Sequence, residues 1–228
     1  LKILTCAPSD ASVLSKETPM RKSLIPELLG LFLAGGLSAC ATSPPTHFYV
    51  LTALPAVDSE PSAPRANRPS LGVGPIKLPD YLDRSEIVTR SGRNALKLAD
   101  FDRWAEPVTD NFMRILAANL GLLVNTSQVS LSPWPSYVTV DYQVVVEVER
   151  FDVDPDGKAL LAGRWYVLSG AENKVLRSRS TVITRQVAGN AYADIAAAMS
   201  SEVAELAREI AAVLKRLPAR PARSETPA

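Results

Sequence analysis

Apolar and polar residues alternate along the stretch from Val138 to Val148. Val138, Val140, Tyr142, Val144, Val146 and Val148 fall on one face, and Thr139, Asp141, Gln143, Glu147 and Glu149 on the other, with Val145 the one exception. Side chains of a strand point alternately to its two faces, so the pattern predicts a strand with one face buried and one wet. The string "DVDPDGK" at 152–158 supplies turn residues and sends the chain back into "ALLAGRWYVL" at 159–168. A further polar turn leads to "VLRSRSTVITRQV" at 175–187, completing a meander. Shorter candidate strands are "FYVLTAL" at 48–54 and "LGVGPIKL" at 71–78, and "EIVTR" and "ALKLA" around the turn-rich "SGRN" predict a hairpin.

Two segments change period. Trp104, Val108, Phe112, Ile115, Leu116 and Leu123 recur at helical spacing, with Pro107 suited to the first turn. Ile195, Met199, Val203, Leu206, Ile210, Val213 and Leu217 form one apolar stripe of six turns, and alanines fill much of the remainder. Such a stripe packs on a sheet. The expected fold is therefore an α/β chain of the α+β kind: one domain, with a mixed, mostly antiparallel sheet of about five strands and two long helices.

Composition enters through the first forty residues. An apolar run follows Met20, Arg21 and Lys22, interrupted by Pro26 and Glu27 and closed by Gly35, Gly36, Leu37, Ser38, Ala39 and Cys40. A membrane-spanning helix needs ~20 apolar residues in a row, which this run lacks. A basic start, a greasy middle and small residues before a cysteine make a removable address. Leu37-Ser38-Ala39-Cys40 resembles the bacterial lipobox, which implies cleavage between Ala39 and Cys40 and lipidation of Cys40 by diacylglycerol and an acyl chain such as palmitate. Residues 1–19 do not fit ahead of such a signal, so Met20 is the expected start and residues 1–39 are the upstream stretch plus signal peptide. Cys6 then falls away and no disulfide is available. Two or three chains on Cys40 would hold far more firmly than one, each methylene contributing ~0.8 kcal/mol. Ala41 is not the Asp that in enteric-type sorting retains a lipoprotein, so the expected location is the periplasmic face of the outer membrane.

Beyond the anchor, residues 40–47 form a Pro-rich tether whose seven residues after Cys40 span at most ~25 Å. The domain is expected over 48–217, interrupted by a Pro/Ser/Ala-rich loop near 57–69, and 218–228 reads as a disordered tail. Losing Lys2, Lys16, Arg21 and Lys22 together with Asp10, Glu17 and Glu27 leaves twenty-one charges of each sign. That balance gives no nucleic-acid footprint.

Reactive constellations are sparse. His47 is the one histidine, so a Ser-His-Asp arrangement would have to use it beside the tether. Zinc sites of the usual kind need several Cys or His. Asp152, Asp154, Asp156 and Gly157 match the first half of a calcium loop, but the twelfth position is Gly163 rather than a bidentate Glu, and the turn reading is preferred. "GVGP" lacks the spacing and the following helix of a phosphate loop. Asp100, Asp102, Arg103 and Glu106 are expected at the start of the first helix, where carboxylates suit the dipole. No catalytic residue, metal site or cofactor is expected.

Two strings carry more than generic patterning: "VGPIKLPDYLDRSEIVTR" at 73–90 and "LKLADFDRWAEPVTDNFMRILAANL" at 96–120. With "FYVL" after the tether, they resemble the ABC-type transport auxiliary lipoproteins, the membrane-integrity lipoproteins of the paraquat-inducible operon type. Leu78, Pro79, Tyr81, Leu82 and Arg84, and then Arg103, Trp104, Ala105, Glu106 and Pro107, carry most of the resemblance. It implies a non-catalytic subunit of a lipid-transport system, partnered by an MCE-domain protein and an inner-membrane permease with its ATPase, and touching membrane lipid through the anchor. It leaves self-association into a homo-oligomer open and assigns no role to the motif residues. The residues alone also allow an envelope-assembly or cell-wall-binding lipoprotein, and a lipid hydrolase using carboxylates.

Overall fold

In the computed structural model the chain is described at residues 44–55 and 68–217. These lie in one compact unit that begins at Pro44. The expectations for the leader, for Ala39 and Cys40, for most of the 57–69 loop and for the tail lie outside the described residues.

The elements in chain order are β1 (His47–Tyr49), β2 (Leu71–Lys77), a 3-10 turn (Asp80–Leu82), β3 (Glu86–Arg90), β4 (Leu96–Trp104), α1 (Val108–Val124), β5 (Val129–Leu131), β6 (Tyr142–Val153), β7 (Lys158–Ser169), β8 (Val175–Gln186) and α2 (Tyr192–Leu214). The fold is α+β, with eight strands among the described residues rather than about five. Every candidate stretch contributes a strand, the one at 48–54 only as the three residues of β1, and the three-residue β5, too short to show a period, is added. The long ladders are antiparallel: β6 with β7, β7 with β8, and β3 with β4. The remaining pairs, β1 with β4, β2 with β5, and β2 and β3 with β6, are parallel.

β6 is the hub. Its one side is lined throughout by β7. On its other side β2 runs beside the first half, from Leu71 opposite Tyr142 to Lys77 opposite Glu147, and β3 meets only the end, Thr89 opposite Val153. The sheet therefore forks there into a β2–β5 branch and a β3–β4–β1 branch.

The predicted strand needs shifting by four residues. Val138–Asp141 is not strand: the Val138 amide donates to the Pro135 carbonyl, and Asp141 is engaged by Ser70. At the other end β6 continues to Val153 because a bulge intervenes. Val148 pairs with Gly163 and Arg150 with Ala162, leaving Glu149 as the extra residue. One inserted residue reverses the alternation, which is why the visible pattern stops there. Before it Val144, Val146 and Val148 are buried; after it Phe151 and Val153 are. Gly163 is required opposite the bulge, since a Cβ there would stand 2.5 Å from the Glu147 carbonyl oxygen.

The two helices pack side by side, α1 over β2 and β5 and α2 over β7 and β8. Phe112 of α1 meets Phe151 of β6 edge to face, with centroids 5.3 Å apart, at the centre of a single core. α1 starts later than its spacing suggests. Trp104 ends β4, Pro107 is the N-cap, and Asp100, Asp102 and Arg103 belong to β4 rather than to the helix entrance. Trp104 matches the helical spacing by coincidence, being buried from the strand side. The α2 stripe is buried as expected through Ile195, Met199, Val203, Leu206 and Ile210. Among the described residues no helix is long and apolar enough to cross a membrane.

Candidate functional site

The first motif run fills the fork of the sheet. As the chain leaves β2 it enters the 3-10 turn, burying Leu78 and Leu82, while Arg84 stays exposed. Tyr81 points its hydroxyl at Asp152, donating to Oδ2 at 2.8 Å. Asp152 is wholly buried and also accepts from Arg90 Nε at 2.9 Å and Arg150 Nε at 2.8 Å. The Arg90 guanidinium lies 5.9 Å from the Tyr81 ring centroid. Burial, then the hydrogen bond to Asp152, push the Tyr81 phenol above its usual range. Burial pulls the Arg90 guanidinium down, but the charge and hydrogen bonds of Asp152 more than offset it, so its net shift is upward. This cluster ties β3, β6 and the motif turn together. A buried carboxylate with two guanidiniums fixes geometry more than it adds stability. The bulge at Glu149 makes it possible by turning Arg150 and Asp152 to the face opposite the helices.

The second run organises the chain that enters from the tether. Trp104 is buried, and its amide donates to the Ser85 carbonyl at 2.7 Å. Arg103 lies 3.9 Å from Glu86, and its Nε is buried with no hydrogen-bond partner. Glu106 accepts from Asn111 and Arg114 and so orients Asn111. Asn111 in turn uses Oδ1 to accept the Leu51 amide at 2.6 Å. Two more side chains repeat the device: Asn119 accepts the Leu54 amide at 2.7 Å, and Ser200 of α2 accepts the Thr52 amide at 3.0 Å. Residues 51–54 thus form a strap hooked to both helices, continuing β1, which is paired to β4.

His47 and Asp102 approach to 3.4 Å, and Tyr49 donates to the same Asp102 oxygen at 2.8 Å. That carboxylate raises the Tyr49 phenol above its usual range, chiefly through the hydrogen bond. The trio fastens β1 to β4; the third group on Asp102 is a phenol, where hydrolysis would need a serine–histidine pair. Nor does the calcium half-motif form a loop. Asp152 is in the strand, and Asp154 Oδ1 accepts the amides of Asp156 and Lys158 to close a tight turn, with Gly157 at φ +73°. Among the described residues no group of three or more His, Cys, Asp or Glu side chains is placed to hold a metal.

That turn forms one wall of an open, polar cleft of about 720 Å3. Thr89, Arg90, Lys97, Gln186–Asn190 and Tyr192 line the rest of it. Arg90 is already committed to Asp152, and Asp154 to the turn. Among the described residues the cleft holds mixed charge, with Arg90 and Lys97 facing a lining that includes Asp154 and Asp156.

Sequence reasoning passed over Asn111, Asn119, Ser200 and Glu202. The two asparagines sit eight residues apart on the buried face of α1, a polar interruption that was the available signal. Glu202 occupies the buried face of α2 with both oxygens lacking a hydrogen bond of normal geometry, although the Leu161 backbone lies near enough to favour its charge slightly. Burial dominates and pushes its carboxyl up to about 9.

No curated protein shows significant sequence similarity to the chain. Two crystal structures share the fold. One, of an uncharacterised protein, covers 75% of this chain and 99% of its own at 18% identity and a TM-score of 0.61. The other, a Xanthomonas campestris protein of the DUF330 family, covers 73% and 93% at 20% identity and a TM-score of 0.59. The sequence profile of the ABC-type transport auxiliary lipoprotein component matches residues 49–211, from β1 to the last turn of α2, and takes in both motif runs. The chain belongs to the ABC-type transport auxiliary lipoprotein family.

Proposed function

We propose that the chain is a non-catalytic subunit of an MCE/ABC-type lipid-transport system, acylated at Cys40 after cleavage behind Ala39. It is held on the periplasmic face of the outer membrane and serves as the docking piece for the periplasm-spanning MCE protein, whose inner-membrane permease and ATPase supply the work. Its contribution is to membrane integrity through that route. The family match over 49–211 carries this reading. The strap is compatible with it, because residues 51–54 join the end nearest the tether to both helices.

Copurification from detergent-solubilised envelopes tests the partner. The expected result is recovery of an MCE-domain protein and its permease; recovery of neither overturns the docking role and favours an envelope-assembly or cell-wall-binding lipoprotein. A Cys40→Ala chain is expected in the soluble periplasmic fraction, and its persistence in the outer membrane fraction would refute the anchor.

A further inference from the structure

We infer that the outward face of β1 and β4 lies against the lipid surface as a second, non-covalent contact; the inference rests on the Cys40 anchor proposed above. Ten large hydrophobic side chains are exposed among the described residues, and five of them, Phe48, Val50, Leu96, Leu98 and Phe101, belong to these two neighbouring strands or the residue just after β1. In a parallel pair, registered residues share a face, so Phe48 stands beside Arg103. Val50 is two positions from Phe48 and lies on that same face. Leu98 and Leu96 share it too, because Arg103, Leu98 and Leu96 register opposite Glu86, Val88 and Arg90, alternate residues of β3, across the irregularity of β4 between Leu98 and Arg103. Tyr49, Asp102 and Trp104 take the opposite side, where Tyr49 and Asp102 bond and Trp104 is buried. Phe48 is 64% exposed, on a sheet edge with no strand beyond it among the described residues.

The occupant follows from chain length. Phe48 follows Cys40 by eight positions, and the seven residues between extend at most ~25 Å. With Cys40 in a bilayer, no other surface is held so close to Phe48 at so high an effective concentration. The chemistry fits an interface. Aromatic and aliphatic side chains can enter the boundary of headgroups and acyl chains, while Arg103, two-fifths exposed and only loosely paired with Glu86, stands among them facing phosphate. This gives a role to Arg103, which the motif alone leaves without one.

The test uses the mature chain from residue 40 carrying Cys40→Ala, so that neither acyl chains nor the apolar leader can bind, with vesicles of phosphatidylethanolamine and phosphatidylglycerol. Cosedimentation is expected, and Phe48→Ser with Leu98→Ser should lower it about tenfold or more, each side chain contributing through its apolar area. Both side chains are exposed, so the core is untouched; a retained melting temperature confirms this. Absence of vesicle binding by the Cys40→Ala chain, or unchanged binding by the double variant, overturns the inference. So does loss of a copurified protein in the double variant with vesicle binding intact, which would assign the face to a protein partner. The mass of Cys40 in protein from native cells reads the anchor separately, so the two readings fail independently.

Discussion

The β6–β7–β8 meander and the N-terminal strap are held by different physics. The meander buries alternate side chains, Phe151, Leu161, Trp165 and Ile183 among them, beneath two helices. The strap buries little beyond Leu51 and relies on Asn111, Asn119 and Ser200 to hold its amides. Burial is non-directional and tolerates many sequences, whereas a hydrogen bond from one side chain to one amide fixes a single path for the backbone. The region that gives the domain its stability and the region that sets where the tether leaves it are therefore separable.

Substitutions can break that separation. The largest effect is expected from Phe151→Ala, which removes the ring facing Phe112 and should cost ~3–5 kcal/mol in urea denaturation. Equal loss from a strap variant would erase the distinction. Next is Glu202→Gln. The folded protein holds a proton on Glu202 up to about pH 9, whereas the unfolded chain releases it near 4.5, so stability falls as pH rises between those values. The glutamine variant should flatten that slope and gain on the order of 3 kcal/mol at pH 7, less the unmet bonds of its own amide. An unchanged pH profile would place a partner on Glu202.

Asn111→Ala strands the Leu51 amide in the interior and should cost ~1–3 kcal/mol. Its signature is local: hydrogen exchange at Leu51 and Thr52 should accelerate while the β6–β7 amides stay protected. Smallest is Tyr49→Phe, which removes a hydrogen bond to Asp102 near the surface and should cost ~0.5–1 kcal/mol. Protection of Phe48 against exchange reads this change more sensitively than denaturation does.

The same contrast governs what could be read in advance. Periodicity revealed β7, β8 and α2 because burial against one partner layer imposes one period, and it revealed β6 up to the residue where the bulge reverses the phase. It misplaced Trp104 because a single buried aromatic at the end of a strand can match a helical series that starts later. It missed β5, whose three residues contain no period at all. The site was legible in part. Tyr81, Arg103, Trp104 and Glu106 stood out as a resemblance, but their partners, Asp152, Glu86 and Asn111, lie between 5 and 71 residues away. Spacing encodes contacts along one element; it does not encode which strand meets which turn across the fork.

The pairing of β1 with β4 is only three residues long and parallel. A strand that short would peel under tension applied at its start. The hooks at Leu51, Thr52 and Leu54 come after it, so a pull applied ahead of His47 that defeats β1 next meets three bonds distributed over two helices. Failure would then be stepwise, and the core would be the last part of the domain to give way.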